Sequence, residues 1–153
     1  MRDFHLPGRS AVFATNGMVA TSHPLAAATA IDILKAGGNA ADAAVAAAVL
    51  LGICEPQMTG IGGDMFALVQ KDPTSDVVAL NGSGRAPLAA NAAALRDAGH
   101  GTVPLHSVDA VTIPGAMDGF CTLAKDFGAL PLKETLAPAI HYARAGVPVA
   151  PKV

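Results

Sequence analysis

Charge is scarce in this chain. Lys and Arg number 10 and Asp and Glu 12 among 153 residues, 14% in total, for a formal net charge of −2. With no run of like charges, the sequence offers no electrostatic footprint for nucleic acid or for an anionic membrane surface. The expected partner is a small molecule or another polypeptide. Cysteine is sparse as well: Cys54 and Cys121 lie far apart, each in an apolar segment where a free thiol packs as a small hydrophobe. Both read as structural, a disulfide being the lesser alternative. Long apolar runs are also missing. The most apolar stretch, Ala43 to Cys54, holds 12 residues, against the roughly 20 needed to cross a bilayer. It reads as a buried helix. The opening "MRDFHLPGRSAVFATNG" has no basic n-region followed by an apolar h-region, so the expected compartment is the cytoplasm.

Several catalytic signatures are absent in the same way. His5, His23, His100, His106 and His141 fall on separate segments, without an HExxH pattern or a cysteine pair at zinc spacing. No GxSxG elbow presents a serine, and neither cysteine sits in an exposed, electropositive setting. In "TGIGGDMF" the glycines Gly60, Gly62 and Gly63 follow a helix and open a strand, with no Lys behind them. A dinucleotide fingerprint needs the opposite order and a P-loop needs that Lys, so this loop reads as a tight turn. No metal, cofactor or self-contained nucleophile is expected.

What the chain does have is apolar bulk, 52% hydrophobic residues, enough for one domain with a core. "GMVATSHPLAAATAIDILKAGGNAADAAVAAAVLLGIC" reads as two helices around a tight corner. Ser22 or His23 can cap the first, Pro24 fits its first turn, Ala27, Ala30, Ile31 and Leu34 form one face, and Gly37 ends it. Asn39 can cap the second, with Asp42 reaching back as a capping box. No polar side chain then appears until Glu55, so this helix is expected to be enclosed on all sides.

Met65 to Gln70 and Val77 to Leu80 are short apolar runs joined by "KDPTSD", the pattern of a β-hairpin. Asn91 is expected to cap a short helix to Ala98, and Val108 to Ile113 to form a third strand. "GAMDGFCTLAKDFG" and "LPLKETLAPAIHYARAG" read as further helices, with Pro138 kinking or restarting the last. The fold class is therefore α+β or layered α/β/α. Three strands form a marginal sheet alone, and the chain looks like part of a larger fold.

One charge stands out. "VVALNGSGRAP" carries an apolar run into Gly82, Ser83, Gly84, Arg85 and Pro87. Arg85 reads either as an ordinary surface arginine after a strand, or as a guanidinium held for a bidentate grip on a carboxylate. In the second reading Gly82 and Gly84 allow backbone geometries closed to other residues, and Pro87 stiffens the exit.

In order along the chain, "GMVATSHPLAAATAIDILKAGGNAADAAVAAAV", "PQMTGIGGDMFALV", "NGSGRAP" and "LAPAIHYARAG" resemble the N-terminal part of the large subunit of γ-glutamyltransferases, also called γ-glutamyltranspeptidases or glutathione hydrolases. The resemblance covers Gly17 to Val153. It implies an N-terminal-nucleophile hydrolase with an αββα sandwich, incomplete in this chain, so that residues 1–153 form a single partial domain. It further implies a precursor that cleaves itself into two subunits, the newly exposed threonine of the small subunit attacking a γ-glutamyl amide such as glutathione. The acyl group then passes to water or an amino acid. The partners implied are the rest of the large subunit and that small subunit.

None of the threonines between Thr15 and Thr135 lies in a Thr-Thr-His-like cleavage site, so no catalytic residue is assigned here and the fragment alone is expected to be inactive. The family's large subunit binds the α-carboxylate of the substrate with an arginine in a Phe-Arg-Glu-x-Ala-Pro loop. Counted back from Ala86 and Pro87, that position is Ser83, and the arginine of this chain comes two residues later. Arg85 replaces the family arginine through a shifted loop, or the pocket takes a different acyl group, as in acylase-like and amidohydrolase-like branches. A third expectation is a truncated product that only associates with a partner chain.

Overall fold

The computed structural model describes residues 11–149; His5 lies outside them. The first helix, α1, runs Pro24–Lys35. Of the two expected caps it is His23 that acts, its Nδ1 accepting from the Leu25 N–H at 3.2 Å. Ser22 is used elsewhere, its hydroxyl donating to Glu55 at 2.6 Å. Gly37, at φ +98°, turns the chain out of the helix. The buried stripe of α1 is Ala26, Thr29, Ala30 and Ile33, rotated from the one expected; Ala27, Ile31 and Leu34 are half-buried along its border. The rotation follows from the second helix, α2 (Ala40–Cys54), whose Ala43, Ala46 and Ala47 meet Ala26, Ala30 and Ile33. Methyl side chains on both sides let the two helices approach closely.

Helix α2 starts as the sequence requires. The Asn39 side chain accepts from the backbone N–H of Ala41 and Asp42 at 2.9 and 3.2 Å, and Asp42 accepts from the Asn39 N–H at 2.9 Å. Asp42 does more than cap: it is 0% exposed, and the same carboxylate oxygen also accepts from Ala129 and Leu130 N–H at 2.9 and 3.3 Å. Asn39 Nδ2 donates to the Phe127 carbonyl at 2.6 Å. One turn of helix thereby fastens two distant corners of the chain. The other carboxylate oxygen is buried without a described hydrogen-bond partner. It is packed against Gly128, where an added Cβ would lie 2.6 Å from it.

Helix α2 is apolar all round, but its enclosure is partial. Ala41 and Val45 face one cluster, Leu50 and Cys54 another, while Ala44 is exposed and Leu51, Gly52 and Ile53 are half-buried. Leu51 packs against the α1 cluster and Ile53 against the cluster of Leu50, Cys54 and Ala139, so the open position is that of Ala44.

Strands β1 (Phe66–Val69) and β2 (Val78–Asn81) pair antiparallel, Phe66 opposite Asn81 and Val69 opposite Val78. The ladder continues one pair further through reciprocal bonds between Met65 and Gly82. Asp72 closes the hairpin, accepting from the Thr74 hydroxyl and the Thr74 and Ser75 N–H groups. These bonds, led by that of the Thr74 hydroxyl, hold its carboxyl below the usual range. Ala67, Val69 and Leu80 face the helices, whereas Phe66 and Leu68 are 70% and 78% exposed on the opposite face.

The helix after Asn91, α3, covers Ala92–Asp97. The third strand does not form. Val108–Ala110 is a 3-10 turn capped by Ser107, whose hydroxyl accepts from Asp109 N–H. Such local side-chain bonding competes with a ladder. Val108, Val111 and Ile113 are all exposed, and a single backbone bond, Ile113 N–H to Arg85 carbonyl, joins this stretch to the hairpin's end.

Helix α4 (Ala116–Phe127) buries Ala116, Gly119, Phe120 and Leu123 against β1, β2 and α2. Helix α5 (Leu132–Ala145) passes through Pro138 as one element and places Ala139 against Leu50 and Cys54. The result is a helical layer on one face of a two-stranded sheet, an α+β arrangement.

Asp42→Ala is expected to lower stability by about 3 kcal/mol in urea denaturation, because it removes the acceptor of three part-buried N–H donors at once. Asn39→Ala, which removes a cap and one long-range bond, is expected to cost about 1 to 2 kcal/mol.

Candidate functional site

Three loops meet where β1 begins, β2 ends and α4 begins. Residues 60–65 supply the first, residues 82–87 the second, residues 112–116 the third. The carbonyl of Gly63 accepts from Gly115 and Ala116 N–H at 3.2 and 2.9 Å, so donors at the start of α4 are already engaged by protein. One oxygen of Asp64 accepts from Gly84 N–H at 3.2 Å and from the Thr112 hydroxyl at 3.3 Å.

The second loop is held residue by residue. Gly82 is paired with Met65, Ser83 N–H donates to the Asn81 side chain at 2.9 Å, Gly84 N–H donates to Asp64, and the Arg85 carbonyl accepts from Ile113 N–H at 3.0 Å. Against this fixed backbone the Arg85 side chain is exposed, and no described salt bridge engages it. Ser83 is half-buried in the same loop. The two sequence-derived site residues are thus brought together, with only Arg85 projecting a charge. A guanidinium in that setting can take a carboxylate in two parallel hydrogen bonds.

The loop glycines serve close approach. Neither Gly82 nor Gly84 has a positive φ, which corrects the expectation of unusual backbone geometry. A Cβ on Gly84 would overlap the Ile113 carbonyl, and one on Gly82 would sit 3.1 Å from the Cα of Gly119 on α4. A glutamate at position 84, as a Phe-Arg-Glu loop would require, does not fit this backbone. The displacement of the arginine to position 85 therefore goes with a different local packing.

Sequence reasoning missed Asp64, Thr112 and Gly115. It took "GIGGD" for a turn between helix and strand, whereas Gly63 and Asp64 support the two neighbouring loops. The one available signal was a carboxylate directly after a glycine run, and its partners lie 20 and 48 positions away.

Other candidates offer less chemistry. Burial, with Glu55 beside it, pushes the Cys54 thiol up, which disfavours the thiolate. Among the described residues both cysteines are free, and no group of three or more His, Cys, Asp or Glu could hold a metal ion. No described helix is long and apolar enough to cross a membrane. A concavity of about 610 Å³ beside α1 and α2 is lined by Met18, Val19, Leu34, Ala44 and similar residues, with no titratable group.

Gly84→Ala is expected to destabilise the protein by at least about 2 kcal/mol in denaturant unfolding, since the collision is with backbone. Gly60→Ala, where an added Cβ meets nothing within 4 Å, is expected to change little.

The family model described as Gamma-glutamyltranspeptidase matches residues 26–153. A glutathione hydrolase-like YwrD proenzyme of Bacillus subtilis is 41% identical over 141 residues, covering 90% of this chain and 26% of that protein. The crystal structure of a cephalosporin acylase from Bacillus halodurans superposes with TM-score 0.85 and 49% identity, over 98% of this chain and 28% of that one. The gamma-glutamyltranspeptidase of Helicobacter pylori superposes with TM-score 0.82 and 32% identity, over 94% and 42%. The chain spans only about a quarter of the relative and of the acylase. Its architecture is a part of the N-terminal-nucleophile hydrolase fold, and the chain belongs to the gamma-glutamyltranspeptidase family.

Proposed function

We propose that residues 1–153 form the N-terminal part of the large subunit of a self-cleaving amidohydrolase or acyltransferase, in which residues 82–87 hold the carboxylate of the acyl donor. The observation that carries this reading is an exposed arginine on a loop whose residues 82–85 are each fixed by a hydrogen bond. Prior fixation spares the ordering cost at binding. Ser83 lies in the same loop and lines the approach to that carboxylate.

The nucleophile belongs to the remainder of the protein, the partner that the proenzyme relatives imply. There a threonine hydroxyl at a new N-terminus would add to the amide carbon, its proton passing to the threonine's own amine. The amine of the substrate leaves with that proton, and water or an amino acid takes the acyl group. Backbone N–H groups near that threonine would carry the oxyanion. The acyl donor in this reading is a γ-glutamyl amide such as glutathione.

A second reading, an acyl group without the α-amine of glutamate, draws on the 49% identity to the cephalosporin acylase against 32% to the Helicobacter enzyme. Gly84, which excludes a Phe-Arg-Glu loop, favours it as well. Paired assays of the complete enzyme with γ-glutamyl-p-nitroanilide and glutaryl-p-nitroanilide separate the two. Both substrates carry a terminal carboxylate and only the first carries the amine.

On whichever is cleaved, Arg85→Ala is expected to raise KM roughly tenfold to a hundredfold, the loss of a charged hydrogen-bonded pair. Arg85→Lys is expected to fall between, and Arg96→Ala, on exposed α3, to match the parent. An enzyme indifferent to Arg85→Ala would refute the assignment.

A further inference from the structure

We propose that Asp64 is the positioning residue for Arg85, acting through the backbone of the loop; this rests on the reading of residues 82–87 as the carboxylate-binding loop. Asp64 is itself placed from both sides. Its predecessor Gly63 is tied by its carbonyl to Gly115 and Ala116 at the start of α4, and its successor Met65 is paired with Gly82. The backbone that carries the carboxylate is thus held on both sides, and the loop bonded to it is held in turn.

One oxygen accepts from two different segments, Gly84 N–H at 3.2 Å and Thr112 hydroxyl at 3.3 Å. The next residue in each segment completes a bridge, Ile113 N–H donating to the Arg85 carbonyl at 3.0 Å. Asp64 thus joins residues 84 and 112, and a backbone bond joins 85 and 113. Without the carboxylate, Gly84 loses its described hydrogen bond immediately before Arg85, and the arginine hangs on the single bond to Ile113. Gly84 and Asp64 form a matched pair: the absent Cβ lets residue 84 lie against Ile113, and Asp64 satisfies the N–H so presented.

Loosening of a binding side chain is read in KM for the group it binds. The test compares Asp64→Ala, Asp64→Asn, Thr112→Ala and Arg85→Ala in the complete, self-cleaved enzyme. Two p-nitroanilides serve as probes, the better of the carboxylate-bearing pair above and pentanoyl-p-nitroanilide, which has no carboxylate. Asp64→Ala is expected to raise KM about tenfold for the carboxylate substrate, with kcat within about threefold and the pentanoyl substrate unaffected. Asp64→Asn, which keeps an acceptor oxygen, is expected to recover most of the loss, and Thr112→Ala to raise KM about threefold.

Asp64→Ala with the parental KM beside a damaged Arg85→Ala would overturn the positioning role and leave the substrate loop standing. Parental KM in both would remove the substrate loop and the inference together. Asp64→Asn as damaging as Asp64→Ala would show that the charge and not the acceptor matters, which also overturns the proposal. If Asp64→Ala does not mature, Asp64→Asn and Thr112→Ala decide: a KM rise confined to the carboxylate substrate in Thr112→Ala, with near-parental Asp64→Asn, supports it. Equal effects on both substrates refute it.

Discussion

The carboxylate of Asp42 stands between two chain reversals. It accepts from Asn39 N–H on its own side, and from Ala129 and Leu130 N–H at the corner between α4 and α5. A buried carboxyl is tolerable only where hydrogen bonds replace water, and here two of the donors lie 87 and 88 positions away from Asp42. The α1–α2 and α4–α5 corners are thereby set side by side. Small residues allow the rest: Ala43, Ala46 and Ala47 of α2 pack against α1, and Val45 reaches Met65 and Phe120 on the sheet side. With that layer in place, Gly119 on α4 comes against the end of β2 and fixes where residues 82–85 can run.

The helical layer therefore determines the candidate site without contributing its reactive side chain. Glycine at 82, 84, 115 and 119 removes side chains where strand end, loop and helix converge, and backbone bonds occupy the space. What projects from that construction is Arg85. The proposed carboxylate grip depends on this contrast between a fixed backbone and an exposed guanidinium. The opposite face of the hairpin, with Phe66 and Leu68 exposed, agrees with a chain that spans about a quarter of its relatives.

Short-range rules were readable in the residues. Asn39 and Asp42 are three positions apart and announce their capping box directly, and "KDPTSD" between two apolar runs announces the hairpin. Family resemblance, carried by "AGGNAADAA", "GIGGD" and "NGSGRAP", led to the right family, and the role of the loop at Arg85 stands as a proposal. The misses lie where long-range packing decides. Val108 to Ile113 has the composition of a strand, but Ser107 and Asp109 bond locally and no neighbour offers a ladder. The second role of Asp42, the face of α1 and the support that Asp64 gives to Gly84 all depend on residues remote in sequence. No periodicity encodes them.

In the proposed function the loop fixed at residues 82–85 presents Arg85 to the acyl donor's carboxylate. A crystal structure of the complete enzyme with its acyl intermediate trapped tests it most directly. That carboxylate is expected in a two-bond pair with the Arg85 guanidinium, at N···O separations of about 2.8 Å. The same carboxylate seated on other groups, with Arg85 turned to solvent, would contradict it.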